Sequence, residues 1–188
     1  MPSLLQVPFA VSTDHFTGSV MASVTLLQYG DYQCTHCGEM YAALKCLQTC
    51  LGSQLLFAFR HYPLAAKHPL ALEAAIAAEA AAMEGKFWPM HNAIFEHQPF
   101  LVRSSFCWLA EELGLNMQPY YNSVEHRKLM QKVISDFDAG VRSGVDGTPT
   151  CYINGCKYTG VADFESLYQA CYFAMDAKRI VKLGSVPG

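Results

Sequence analysis

Two cysteines with two residues between them, Cys34 and Cys37, stand where an apolar β-branched run ends and a helix-compatible run begins. Val24-Thr25-Leu26-Leu27 leads into Tyr29-Gly30-Asp31-Tyr32-Gln33-Cys34-Thr35-His36-Cys37-Gly38, and Glu39 to Leu51 leaves it. That order predicts a strand, a short turn and a helix, the setting in which a C-x-x-C pair reads as a redox motif. A thiol at the first turn of a helix meets unpaired backbone N–H groups and the positive end of the dipole, and both favour its thiolate. Such placement brings a cysteine pKa from about 8.5 into a range of roughly 3.5–7.5, so Cys34 is expected to be ionised at neutral pH. Cys37, one turn further on, can close a small ring and release a bound substrate. His36 is expected to set a cation or hydrogen-bond donor beside the Cys34 sulfur. That would stabilise the reduced pair and make its disulfide more oxidising.

The competing reading makes the pair half of a zinc site, which needs four N or S ligands. Cys46 and Cys50 stand four apart on the same predicted helix, but more than two turns downstream, and the helical rise keeps them from a shared metal. The seven histidines are scattered and form no short-spaced ligand set. No metal and no cofactor are expected.

Composition narrows the class. A chain of 188 residues, 52% hydrophobic and 15% charged, fits one globular domain with a sizeable core. A net charge of −3 gives no reason to expect nucleic acid or an anionic membrane surface as a partner. Eight cysteines are many, yet the chain is too large and too apolar to need a disulfide framework. Met1 to Val11 holds no Lys or Arg and is broken by two prolines, unlike a signal peptide. The Ala-rich run from Ala71 to Met83 is too short to span a membrane and carries Glu73 and Glu79. A cytoplasmic protein is the expectation, or a periplasmic one if a leader preceded this sequence.

Along the chain, Ser12 to Ala22 reads as an irregular lead-in and Val24 to Tyr29 as the first strand. A helix over Thr35 to Leu51 has Met40, Leu44 and Leu47 on its apolar face. Gln54 to His61 is a continuous apolar run of strand length, suited to a buried parallel strand. Helices follow: one opened by Pro69 and closed by Gly85, then Lys86 to His97, Ser104 to Leu113, a short one at Pro119 to Tyr121, and Glu125 to Arg142. The last of these carries Leu129, Val133, Phe137 and Val141 on one stripe. Thr150 to Ile153 and Cys156 to Thr159 form a hairpin about Asn154-Gly155, and a final helix runs from Asp163 to about Lys178. The layout is βαβ, a helical insertion at about 66–143, then ββα: an α/β thioredoxin fold in a single domain over 1–188. Asp146-Gly147-Thr148-Pro149-Thr150 lies where that fold places a cis-proline, cheap for an X–Pro bond.

Several stretches then converge on one family. Tyr29 to Cys37, Phe59-Arg60-His61-Tyr62-Pro63-Leu64, Gly85-Lys86-Phe87-Trp88, Met90-His91, Phe95-Glu96-His97-Gln98 and Gly147-Thr148-Pro149-Thr150 resemble DsbA-like thiol:disulfide oxidoreductases. The resemblance covers about Asp14 to Ala174. It implies that Cys34 attacks, Cys37 resolves, and Thr148-Pro149 faces both and binds substrate backbone, with Thr35 beside it. It implies protein thiol or disulfide substrates and a redox partner, which is thioredoxin, glutathione or a membrane oxidase according to compartment. A couple as oxidising as DsbA, at about −120 mV, would stand reduced against a cytosolic poise below about −220 mV and act there as a reductant. Two alternatives share the fold: a kappa-type glutathione transferase or isomerase, which lacks the C-x-x-C pair, and a non-catalytic peptide- or metal-binding module.

Three positions depart from the family pattern. Gln28 stands where a buried Glu usually relays protons, so a slow resolving step is expected. Thr35 replaces the proline of DsbA itself. Cys151 takes a place more often aromatic. Cys46, Cys50, Cys107 and Cys171 read as small buried hydrophobes. Cys151 and Cys156 would lie diagonally across the hairpin, roughly 7 Å apart at Cβ and too far for a relaxed disulfide. His61, His68, His91 and His97 are candidate pocket residues, and capping and core packing account for them about as well.

Overall fold

A computed structural model describes residues 3–116 and 118–184. Five strands form one sheet: β1 (His15–Gly18), β2 (Val24–Gly30), β3 (Leu55–His61), β4 (Thr150–Ile153) and β5 (Cys156–Lys157). Their spatial order is β1-β3-β2-β4-β5. β2 and β3 are parallel and the other neighbours antiparallel. The helix α1 (Thr35–Leu51) makes the β2–β3 crossover. Five helices then separate β3 from β4: α2 (Ala71–Ala82), α3 (Phe87–Glu96), α4 (Ser105–Glu112), α5 (Gln118–Tyr121) and α6 (Ser123–Ser143). α7 (Phe164–Gly184) closes the chain. This is a thioredoxin fold, βαβ then ββα, with helices between its halves.

Alternation along the central strands divides the core. Val24 and Leu26 of β2, with Leu55, Phe57 and Phe59 of β3, face Met40, Leu44 and Leu47 of α1. Leu27, Tyr29, Leu56 and Ala58 face the opposite way, towards Ala139 of α6 and Tyr152. Both faces of β2 and β3 are therefore covered, which is why these strands read as unbroken apolar runs. The β4–β5 turn has Asn154 at φ 46° and Gly155 at φ 83°, the two positive angles that a tight two-residue hairpin demands.

The lead-in is not irregular throughout. His15–Gly18 pairs antiparallel with β3, from His15 opposite Phe59 to Gly18 opposite Leu56. Four residues at a sheet edge are too few to show a period, and the pairing partner lies forty residues away. The strand ends at Gly18, φ +93°, where a Cβ would fall 2.1 Å from the Leu55 carbonyl oxygen. Only glycine closes that contact. The buried Arg60 helps to fix the same segment, donating to both Asp14 carboxylate oxygens and to the Val7 and Pro8 carbonyls.

Other expectations need correction. The helix opened by Pro69 starts at Ala71. On α6, Leu129 and Val133 are buried but Val141 is 53% exposed. Steps of four residues advance 400° around a helix, so a stripe spaced by fours drifts off the core; Asp136, Ala139 and Ser143 take over the buried side. On α1 the buried positions are Cys37, Met40, Leu44, Leu47 and Leu51, which leaves Cys46 and Cys50 on the outer face, exposed rather than buried. Cys107 is half-buried, and Cys171 is buried among apolar residues that push its thiol up to about 12.

Candidate active site

The α1 N-terminus makes the reactive thiol. Cys34 is the N-cap residue, extended at φ −69° and ψ 117°, and no side-chain oxygen caps the helix. Its sulfur takes the place such an oxygen would occupy, facing the backbone N–H groups of His36 and Cys37. The Cys34 pKa is lowered to about 5. The hydrogen bond from the Cys37 thiol contributes most, burial opposes it, and the Thr148 contact and the two backbone N–H groups add to it. Cys37 goes the other way. Burial pushes its thiol well above the ordinary value, and hydrogen bonding to Cys34 and the charge there push further. The Asp31 backbone N–H donates to the Cys37 sulfur at 3.5 Å. One sulfur is thus a thiolate at neutral pH and its neighbour a thiol.

Thr148 and Pro149 stand over this pair, and their peptide bond is cis. As a thiol, Cys34 donates to the Thr148 carbonyl oxygen at 3.1 Å. The Thr148 hydroxyl is buried with no full hydrogen bond, yet close enough to favour both thiolates. Thr150 Oγ1 ties the loop back to the Gly147 carbonyl at 2.8 Å. Thr35 is exposed on the first turn.

His36 sits differently from expectation. Its ring is 76% exposed and turns to Glu39, with Nδ1 3.1 Å from Oε2. That contact raises its pKa first, and the Cys34 charge adds to the rise. The backbone N–H of His36, rather than its ring, reaches the Cys34 sulfur.

Gln28 is buried on the α1 side of β2, in register with Phe59 and Cys151. Its Nε2 has no hydrogen-bond partner and lies 3.5 Å from where a Cβ on Gly30 would stand. The side chain borders a cavity of about 110 Å³ shared with Tyr41, Lys45, Trp88, His91 and Asn92. That space has a mixed polar and apolar lining and is large enough for several waters. Cys151 is buried against Met40 and Cys156 is exposed; both are free thiols.

The residues between the strand and the helix act as staples. Asp31 is buried and accepts from Gln33 N at 2.8 Å, Leu64 N at 2.8 Å and His68 Nδ1 at 2.7 Å. Gln33 Oε1 accepts from Leu70 N, just before α2. Tyr32 OH meets His91 Nδ1 at 3.0 Å inside a cage of Phe59, Phe95 and Trp88. Burial, with nearby positive charge, holds His91 well below the usual imidazole range, so it is neutral. His97 lies apart, with Nδ1 on the Ala93 carbonyl and its ring against Trp108.

One contributor carried no signal of its own in the sequence. Gln98, just past α3, donates from Nε2 to the Tyr32 carbonyl at 2.8 Å and to the Cys34 carbonyl at 2.9 Å. It fits because residue 38 is glycine: a Cβ there would fall 2.2 Å from Gln98 Oε1. Only the shared four-residue stretch Phe95 to Gln98 pointed there.

Residues 10–171 match a family model described as thioredoxin. A curated relative, the Na(+)/H(+) antiporter NhaA 3 of Salinispora tropica, is 35% identical over 176 residues; the match takes in 94% of this chain and 27% of that protein. The chain thus spans about a quarter of the length of the curated relatives it matches. Among solved structures, the thiol-disulfide exchange protein alpha-DsbA2 of Wolbachia pipientis superposes with a TM-score of 0.74 at 22% identity, covering 86% of this chain and 87% of that one. BdbD of Bacillus subtilis gives a TM-score of 0.77 at 21% identity, covering 89% and 95%.

Proposed function

The chain belongs to the thioredoxin family, and we propose that it is a thiol:disulfide oxidoreductase acting on protein thiols and disulfides through Cys34 and Cys37. One observation carries this: two adjacent sulfurs have pKa values driven apart, Cys34 down to about 5 and Cys37 well above its ordinary value. A zinc-holding pair would need further ligands. Among the described residues the one three-residue ligand cluster, His15, His61 and Glu79, does not include these cysteines.

In the oxidising direction a substrate thiolate attacks the Cys34 sulfur of the Cys34–Cys37 disulfide. That bond breaks, its electron pair leaves on Cys37, and Cys37 takes up a proton. The mixed disulfide joins substrate to Cys34. A second substrate thiolate then attacks the substrate sulfur, and Cys34 departs as a thiolate. A low pKa makes it a good leaving group. The substrate has lost two electrons and the enzyme holds a dithiol.

In the reducing direction Cys34 attacks a substrate disulfide, and Cys37 must lose its proton before it can attack in turn. Gln28 cannot take that proton, so we assign the transfer to solvent water. In this reading Thr148 and Pro149, beside the pair, hold substrate backbone, and the exposed Thr35 contributes to the same contact. A redox partner such as thioredoxin, glutathione or a membrane oxidase resets the couple, and its identity follows the compartment. In a cytoplasm the site would reduce substrates; in a periplasm it would donate disulfides.

The curated relatives carry an antiporter name, and this chain matches about a quarter of their length. Among the described residues no helix is long and apolar enough to cross a membrane. Trapping tests the thiol reading. Cys37→Ser should accumulate a mixed disulfide when its Cys34 thiolate attacks a disulfide-bonded protein substrate and expels one substrate sulfur as a thiolate, and Cys34→Ser should neither trap nor turn over. Turnover by the Cys34→Ser variant would overturn the assignment.

A further inference from the structure

α2 is an alanine helix buried on every side, and such a helix has no use for an isolated carboxylate. Glu79 nevertheless lies within it, 6% exposed. A buried carboxylate needs compensation, and two imidazoles supply it. His15 Nε2, on β1, is 2.7 Å from Glu79 Oε1, and His61 Nε2, at the end of β3, is 2.8 Å from the same oxygen. One donor atom from each of the three residues lies within 4.8 Å of the other two. We propose that His15, His61 and Glu79 form a binding site for a zinc-class divalent transition ion.

The donor set decides the class of ion. Two imidazole nitrogens and one carboxylate oxygen are the protein ligands of open zinc sites and of related transition-metal sites, whereas calcium and magnesium demand oxygen. The geometry is close to what such an ion needs. With bonds of about 2.0–2.1 Å in a tetrahedron, neighbouring donors stand about 3.3 Å apart, so the nitrogens need withdraw from the oxygen by about half an ångström. The rings are already held in place. His15 stacks on Phe87 with centroids 3.6 Å apart and planes 9° apart, and Tyr32, Phe59 and Phe87 surround His61. The His15 side chain is 19% exposed, giving an approach from solvent. Each imidazole must offer a bare Nε2, which a neutral ring does by carrying its hydrogen on Nδ1. His61 Nδ1 is buried without a partner, so it is free to carry the hydrogen, and the Nε2–H bond to Glu79 is the one bond of this ring that the metal ion replaces.

A hydrogen-bonded trio with no affinity for metal is the competing account, and His15→Gln separates the two. A glutamine amide can donate to Glu79 as the imidazole does, but it is a poor ligand. The protein is first oxidised to close the Cys34–Cys37 disulfide and then treated with iodoacetamide to block accessible thiols. It is then titrated with Zn²⁺ by calorimetry and with Co²⁺ by absorbance. The expected result is one saturable equivalent, with cobalt bands of a four-coordinate nitrogen and oxygen site and no thiolate charge transfer. Loss of an outer-shell partner costs a metal site roughly 10–100-fold, so loss of a ligand in His15→Gln should weaken binding by more than about 100-fold. Glu79→Gln should do the same, and His97→Gln, remote from the cluster, should bind as wild type. Absence of a saturable equivalent, binding carried wholly by thiolates, or a folded His15→Gln variant that binds like wild type would overturn the proposal.

Discussion

At Cys34, position on the helix and contact with a second sulfur act together. The helix end alone would offer two backbone N–H groups; the Cys37 thiol adds the largest single contribution and Thr148 another. The Thr148 hydroxyl is the part that can be removed cleanly, because valine keeps the branched shape and drops only the oxygen. In the reduced protein that hydroxyl stabilises the thiolate over the thiol, so Thr148→Val should raise the Cys34 pKa above its present value of about 5. A full hydrogen bond to a charged group would be worth about one unit, or ~1.4 kcal/mol; the Thr148 hydroxyl makes no full bond, so a rise of less than about one unit is expected. The rate of alkylation against pH reads the change directly, with the rate at pH 5 falling in the variant. An unshifted profile in a folded protein would remove the hydroxyl from the thiolate's surroundings. His36→Ala should have a smaller effect, since its ring faces Glu39 and its backbone N–H survives the substitution.

The elements meet at the start of α1, where the β2 turn, the loop after β3 and the end of α3 are pinned by side chains. Gln98 is the pin from α3. Replacing it with leucine deletes two half-buried bonds to main-chain carbonyls, which should destabilise the fold by about 1–3 kcal/mol. Gly38→Ala attacks the same contact from the other side by driving a Cβ into Gln98 Oε1. Because both changes break one interface, the double variant Gly38→Ala/Gln98→Leu should cost less than the sum of its parts in urea denaturation. Strict additivity would mean the two residues do not press on each other.

At this scale the limits of sequence reasoning are also physical. Cys34 to Cys37, the helix after it and the Asn154-Gly155 turn were legible because local spacing and backbone preference determine them. β1 was not, since four edge residues owe their conformation to β3. The outer placement of Cys46 and Cys50 could have been derived from the stripe Met40, Leu44, Leu47, since those two positions fall on the opposite side. His15, His61 and Glu79 could not be grouped in advance: they are 64 and 18 positions apart and meet only because a strand edge, a strand end and a buried helix converge.

For the whole molecule, the ionisation of one sulfur couples redox state to folding. In the reduced protein Cys34 titrates at about 5, against about 8.5 in an unfolded chain. A folded pKa below the unfolded one contributes stability that is complete above about 8.5 and is lost as pH falls through about 5. Between those limits the gain approaches one proton's worth, ~1.4 kcal/mol per pH unit. Cys37 works in the opposite sense. Its folded pKa lies well above the unfolded value, so above about 8.5 the unfolded chain ionises it first and stability declines. In the disulfide form neither sulfur can titrate. Groups such as His36, present in both redox forms, largely cancel from the comparison. The stability of the reduced protein relative to the oxidised one should therefore climb from pH 5 to about pH 8.5, then flatten and fall. Urea unfolding of both forms at several pH values measures the difference. An ordinary cross-link would instead favour the oxidised form by an amount that does not vary with pH. A pH-independent difference would show that the folded protein does not stabilise the Cys34 thiolate, and the oxidising character assigned to the couple would fall with it.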